Sequence, residues 1–142
     1  MILWYYYGEL NNYLVVGNCN RTEKLTGYFV KYGDSGSDID PIDPLFKTQI
    51  RQLAKFLGLP QRIINKAPSP DLMPVMTDEY ALHMTYEKID QILYGLMHGM
   101  EEEEIVKEVP TNRKEINYIK ELNYWSRHMR NLPPQPDLTS LL

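Results

Sequence analysis

The side chains best placed for chemistry lie between Gly17 and Asp34. There Gly17-Asn18-Cys19-Asn20-Arg21-Thr22-Glu23 is followed by Gly27-Tyr28-Phe29-Val30-Lys31-Tyr32-Gly33-Asp34. The polar stretch follows an apolar run, Leu14-Val15-Val16, and so falls at the carboxyl end of a predicted strand, where α/β proteins place ligands. Taken singly, Glu23 is a helical surface carboxylate, Lys31 a solvated lysine and the glycines are turns. Further on, Asp43-Pro44 reads as an N-cap and first-position pair, which puts Lys47 in the first turn of a helix. Backbone N–H groups and the helix dipole favour an anion at such a place.

Other chemistries have little to stand on. Asp34-Ser35-Gly36-Ser37-Asp38-Ile39-Asp40 begins like a calcium loop, but Ile39 and Leu45 stand where the glycine and the bidentate glutamate belong. His83, His98 and His128 have no partners at metal-ligand spacing, and no Ser or Cys has the surroundings of an activated nucleophile. Glu101 to Glu104 reads as a solvated first helical turn. Trp4, Tyr5, Tyr6 and Tyr7 lack nearby cations and read as core or interface aromatics rather than a base-stacking platform.

The elements that must position these residues follow from periodicity. Leu3, Tyr6, Leu10 and Tyr13 have helical spacing, and Leu14 to Gly17 reads as a buried parallel strand, with a short second strand near Ile39. Residues 31–43 form a long Gly, Ser, Asp and Pro-rich loop, and 66–77 a second loop with three prolines. Three further helices are predicted: one with Ile50, Leu53, Ala54 and Leu57 on its apolar face, ending at Gly58; one capped by Thr85 through Ile89, Ile92, Leu93 and Leu96; one capped by Asn112 with Glu115 through Ile116, Ile119 and Leu122.

The series as a whole resembles ammonia-dependent NAD synthetase. That family has a polar residue after the strand glycine, a Glu five residues later, and Gly-Tyr/Phe-Phe-Thr-Lys-Tyr-Gly-Asp-Gly. The likeness continues through Asp38, Pro41, Lys47, the run Lys66-Ala67-Pro68-Ser69-Pro70-Asp71-Leu72, Thr77-Asp78-Glu79, Tyr86-Glu87-x-x-Asp90, and His128 with Arg130 and Pro133. It implies an α/β fold: the helix-rich C-terminal part of a Rossmann-like, three-layer adenine-nucleotide-binding domain of the PP-loop ATPase kind. It also implies ATP-dependent amidation of deamido-NAD by ammonia through an acyl-adenylate. By resemblance Asn18, Lys47 and Ser69 contact ATP, Glu23 is a Mg²⁺ ligand, and Lys31, Asp38 and His128 hold deamido-NAD. No side chain is implied as a covalent catalyst.

Departures accompany the likeness. Asn18 stands for Thr, Met129 for a Lys, Pro70 for Ala, and Met76 and His83 for Gln and Gly. The family's Ser-Gly-Gly-x-Asp-Ser phosphate loop does not occur in the sequence. It is expected in an N-terminal half that this chain lacks, so that the chain alone is inactive. A partner is then expected: a second copy, a separate N-terminal half or a full-length subunit. The alternative is a catalytically inactive remnant or regulatory module that keeps a dimerisation or nucleotide-binding surface.

The totals suit this reading. At 142 residues the chain has the usual size of one domain, and a net charge of −4 offers no field for nucleic acid or an anionic membrane. Cys19 is the sole cysteine, which excludes an internal disulfide and a Cys-based zinc site and suits a reducing cytoplasm.

Overall fold

The computed structural model describes residues 1–70 and 76–137. Its helices are α1 Ile2–Asn11, α2 Arg21–Thr26, α3 Lys47–Phe56, α4 Gln61–Ile64, α5 Asp78–Ala81, α6 Tyr86–Met97, α7 Glu102–Glu108, α8 Arg113–Trp125 and α9 Arg127–Arg130. None of these is long and apolar enough to cross a membrane.

Helix α6 is the hub. Its i, i+3, i+4 pattern buries Tyr86, Ile89, Ile92 and Leu93, and α2, α3 and α8 pack around it. Ile105 of α7, Ile116 and Ile119 of α8, and Phe46 complete one apolar core. Two sequence-predicted boundaries hold well. Asn112 Oδ1 accepts from the Glu115 N–H while Glu115 Oε2 accepts from the Asn112 N–H, a capping box that starts α8. Thr85 does precede α6, but its side chain caps nothing; Glu79 Oε1 takes the Tyr86 N–H at 3.0 Å instead.

The predicted strand is largely absent. Among the described residues, sheet-like pairing is confined to one parallel bridge, Val16 to Ile39, with the Gly17 N–H on the Ile39 carbonyl at 2.8 Å. Leu14 and Val16 are exposed rather than buried. A strand needs a neighbour along its length and cover on its faces; here only the Ile39 edge supplies one. Helix α1 forms as its spacing predicts, yet Leu3, Trp4, Tyr6, Tyr7 and Leu10 all face outward.

The bridge is nonetheless held firmly. A Cβ on Gly17 would lie 1.8 Å from Asp40 Oδ1 and 2.8 Å from Ser37 Cβ. The long loop therefore presses directly on the turn that leads into α2, and only glycine fits there.

Candidate functional site

One cleft of about 820 Å³ opens between α2, α3 and α4 and the loop through Ser69. Asn18, Glu23, Lys47 and Ser69, the four residues that sequence resemblance assigns to ATP and Mg²⁺, all line it. They come from three separate stretches of chain.

Local chemistry explains how they are aimed. Asn20 caps α2 by accepting the Glu23 N–H at 3.1 Å, and Glu23 Oε2 returns the contact to the Asn20 N–H at 3.1 Å. This spends one oxygen of Glu23 and pins its carboxylate. The other oxygen, Oε1, lies 3.2 Å from Lys47 Nζ. The spacing Asn20 to Glu23 is a capping box legible in the sequence, and it went unassigned there.

Lys47 does sit at the first position of α3, but Asp43 is not the cap. Asp43 lies in a preceding turn and pairs with Lys24 at 3.3 Å. The start of α3 is capped from other elements: the Lys47 N–H donates to Thr22 Oγ1 at 3.0 Å, and the Thr48 N–H to Asp90 Oδ2 at 2.8 Å. Within the helix, Gln49 Oε1 accepts the Phe46 N–H at 2.9 Å. Two first-turn donors are thereby used up, so an anion here meets the ammonium of Lys47 rather than those backbone groups.

Arg51, one turn after Lys47, adds a second cation to the cleft wall and pairs with Glu87. Both cations lie near the ring of Tyr86, 5.2 Å and 6.0 Å from its centroid. The four-residue spacing of Lys47 and Arg51 on a predicted helix was the signal for it.

Beneath them, the Tyr86 hydroxyl donates to Asp78 Oδ2 at 2.9 Å, and Asp78 is itself buried. Burial, then the charge of Asp78, pushes the Tyr86 phenol well above its ordinary pKa, and Tyr28 is raised for the same reasons. Both tyrosines therefore stay protonated and act as donors rather than bases.

Ser69 reaches the cleft with its hydroxyl on the Met76 carbonyl at 3.0 Å, closing the neck of the second loop. Asp71 and Leu72 of the sequence motif lie outside the described residues.

The three side chains assigned to deamido-NAD are elsewhere. Lys31 Nζ donates to the carbonyls of His128 and Asn131 at 2.8 and 2.6 Å, tying the end of α9 to the first loop. Lys31 lines a smaller recess of about 480 Å³ with Tyr5, Ser37 and Met129. Asp38 accepts the Val15 N–H at 2.7 Å and the Tyr5 hydroxyl at 3.2 Å. The His128 ring is exposed, with Nδ1 2.9 Å from the Trp125 carbonyl. Lys31 thus meets the His128 backbone rather than its ring, while Asp38 holds Tyr5, which lines the same recess as Lys31.

Among the described residues no three His, Cys, Asp or Glu side chains converge as a metal cluster. Three carboxylates line the cleft, but Asp34 takes the Val30 N–H and Asp78 the Tyr86 hydroxyl, which leaves Glu23, beside Lys47, as the one aimed at a ligand. That suits Mg²⁺, which commonly takes one or two protein carboxylates and completes its octahedron with water and phosphate oxygens. Glu23 fits as one such ligand once Lys47 moves from its Oε1 to a phosphate.

Comparison with known proteins gives one answer. The family model for NAD synthase matches residues 1–133. The NH(3)-dependent NAD(+) synthetase of Coprothermobacter proteolyticus is 48% identical over 122 residues, covering 84% of this chain and 41% of the relative. That of Thermococcus sibiricus is 44% identical over 139 residues, covering 97% of this chain and 55% of its own. Among solved structures, NMN synthetase from Francisella tularensis superposes with a TM-score of 0.80 at 32% identity, covering 96% of this chain and 52% of that one. The NH3-dependent NAD synthetase from Campylobacter jejuni superposes at 0.74 and 28% identity, covering 96% and 51%. The chain spans about half the length of the relatives it matches.

Proposed function

Because this chain belongs to the NAD synthase family, we propose that it supplies the C-terminal half of an ATP-dependent amide ligase. In this reading the nicotinate carboxylate of deamido-NAD attacks the α-phosphorus of ATP. Pyrophosphate leaves, and ammonia then displaces AMP from the acyl-adenylate to give the amide of NAD. The observation that carries the reading is the convergence of Asn18, Glu23, Lys47 and Ser69 on one cleft.

Each side chain has a definable part. Lys47, and Arg51 a turn later, offset the negative charge of a polyphosphate as pyrophosphate departs, where fixed charges count for more than in water. Ser69 would exchange the Met76 carbonyl for a phosphate oxygen as the acceptor of its hydroxyl, and Asn18 supplies an amide to the cleft wall. Glu23 would hold Mg²⁺, which supplies charge neutralisation on the phosphates when bound. The Tyr86–Asp78 contact supports the wall on which both cations rest.

The phosphate-wrapping loop, Ser-Gly-Gly-x-Asp-Ser in the family, would come from outside these 142 residues, and an N-terminal half or a homologous full-length subunit could supply it in trans. The test is complementation. The chain is assayed alone, and mixed with a polypeptide carrying that loop, with ATP, Mg²⁺ and ammonium. Both the nicotinate dinucleotide and the nicotinate mononucleotide are offered, since one superposed structure is an NMN synthetase. Activity is expected only in the mixture, abolished by Glu23→Ala or Lys47→Ala and retained by Glu102→Ala. Turnover by the chain alone refutes the shared site. Binding of the two polypeptides without activity favours a regulatory module or remnant.

A further inference from the structure

We propose that Asp90 is a positioning residue which, from the core helix α6, fixes the point at which Lys47 meets a polyphosphate. Asp90 is 4% exposed and is not among the residues that line the cleft. Its Oδ2 accepts the Thr48 N–H at 2.8 Å, and its Oδ1 accepts the hydroxyl of the fully buried Thr22. That same hydroxyl oxygen accepts the Lys47 N–H at 3.0 Å. One carboxylate therefore holds two successive N–H groups of α3, one directly and one through Thr22.

The arrangement has a direction. Burying a carboxylate is costly unless hydrogen bonds satisfy it. Here the donors are the start of the helix that carries Lys47 and the side chain next in sequence to Glu23. A shift of Asp90 moves Lys47 and Glu23 together. A displacement of about 1 Å in a group meant to meet a developing charge costs far more than its hydrogen bonds alone suggest. A merely structural core residue would destabilise the chain without this selective link.

The proposal rests on the reading that Lys47 contacts polyphosphate. Tripolyphosphate binding to the full chain is measured by calorimetry, with backbone amide spectra recorded without ligand. Asp90→Asn should weaken binding roughly tenfold and shift the Lys47 and Thr48 amides, while amides of α8 stay in place. Thr22→Val should do likewise, and Thr22→Ser should restore wild-type binding because it keeps the hydroxyl. In a Lys47→Ala background, Asp90→Asn should have no further effect. Should both Asp90→Asn and Thr22→Val bind as wild type does, or should Asp90→Asn act equally in the Lys47→Ala background, the positioning role is overturned. If the amides shift as expected but the wild-type chain binds no tripolyphosphate, the failure lies in the reading of the cleft.

Discussion

Lys47 Nζ rests 3.2 Å from Glu23 Oε1, so the cation and the carboxylate that resemblance assigns to opposite partners of Mg-ATP satisfy each other in the cleft. Both are partly buried, which makes the pair stronger than an exposed surface bridge. Ligand binding must exchange this contact for two others. Glu23→Gln should therefore change sign with metal. Without Mg²⁺ it should tighten tripolyphosphate binding a few-fold, since Lys47 is released; with Mg²⁺ it should weaken it, since a ligand is lost. Titrations with EDTA and with Mg²⁺ read the two arms. A loss of affinity in both would mean that Glu23 serves only to orient Lys47.

Cys19 should be chemically silent. It is 1% exposed, and burial first, then the charges of Asp34 and Glu23, push its thiol up to about 12. At pH 8 about one thiol in ten thousand would be ionised by that value, and the thiolate is the reactive form. A disulfide reagent should label it only after denaturation. Rapid labelling of the folded chain would show that the Gly17 to Asn20 turn opens readily.

The sequence was most legible where one helix face decides the outcome. Ile89, Ile92 and Leu93, and Ile116 and Ile119, read as buried stripes and are buried. The start of α8 was legible because Asn112 and Glu115 cap each other within four residues. The start of α3 was misread because its caps, Thr22 and Asp90, are 25 and 42 residues away from the groups they hold. Local spacing carries no trace of such a contact. The strand at Leu14 failed for a related reason: an apolar run reads as buried whether or not the chain supplies its cover. Asn18, Glu23, Lys47 and Ser69 could be gathered in advance only through resemblance, since no periodicity links three separate segments. Arg51 and Asp90 fell outside the assigned set although both were within reach of it.

Glu115 gives a pH-dependent test of the α8 cap. A hydrogen bond from Lys88, then one from Thr111, holds its carboxyl below the usual Glu range. A depressed folded pKa means stability present above the unfolded value and lost as pH falls through the folded one. Glu115→Gln should lower stability by about 1 kcal/mol at pH 7. The difference should shrink below the unfolded value, near pH 4.5, and close once the wild-type carboxyl is itself protonated. Urea melts at pH 7, 4.5 and 3 would show it; a difference that persists at pH 3 would assign the effect to packing.

Helix α1 leads to the last prediction. Leu3 is 70% exposed, Trp4 71% and Leu10 64%, with Tyr6 and Tyr7 more than half exposed on the same ten-residue helix. Tyr13, Leu14 and Val16, just after the helix, are exposed as well. Single exposed apolar residues are ordinary, but a contiguous patch of this kind marks a contact surface. The matched relatives are about twice as long, and the occupant tested for this surface is an N-terminal segment of the same family, offered as a separate polypeptide. At tens of micromolar, where modest interfaces form, the chain should sediment as more than a monomer. Adding the N-terminal polypeptide should replace self-association with a one-to-one complex, because both compete for α1. Trp4→Lys with Leu3→Glu should abolish both associations while leaving the α6 and α8 core folded. A monodisperse monomer at that concentration, or a complex indifferent to the double substitution, would remove α1 from the interface.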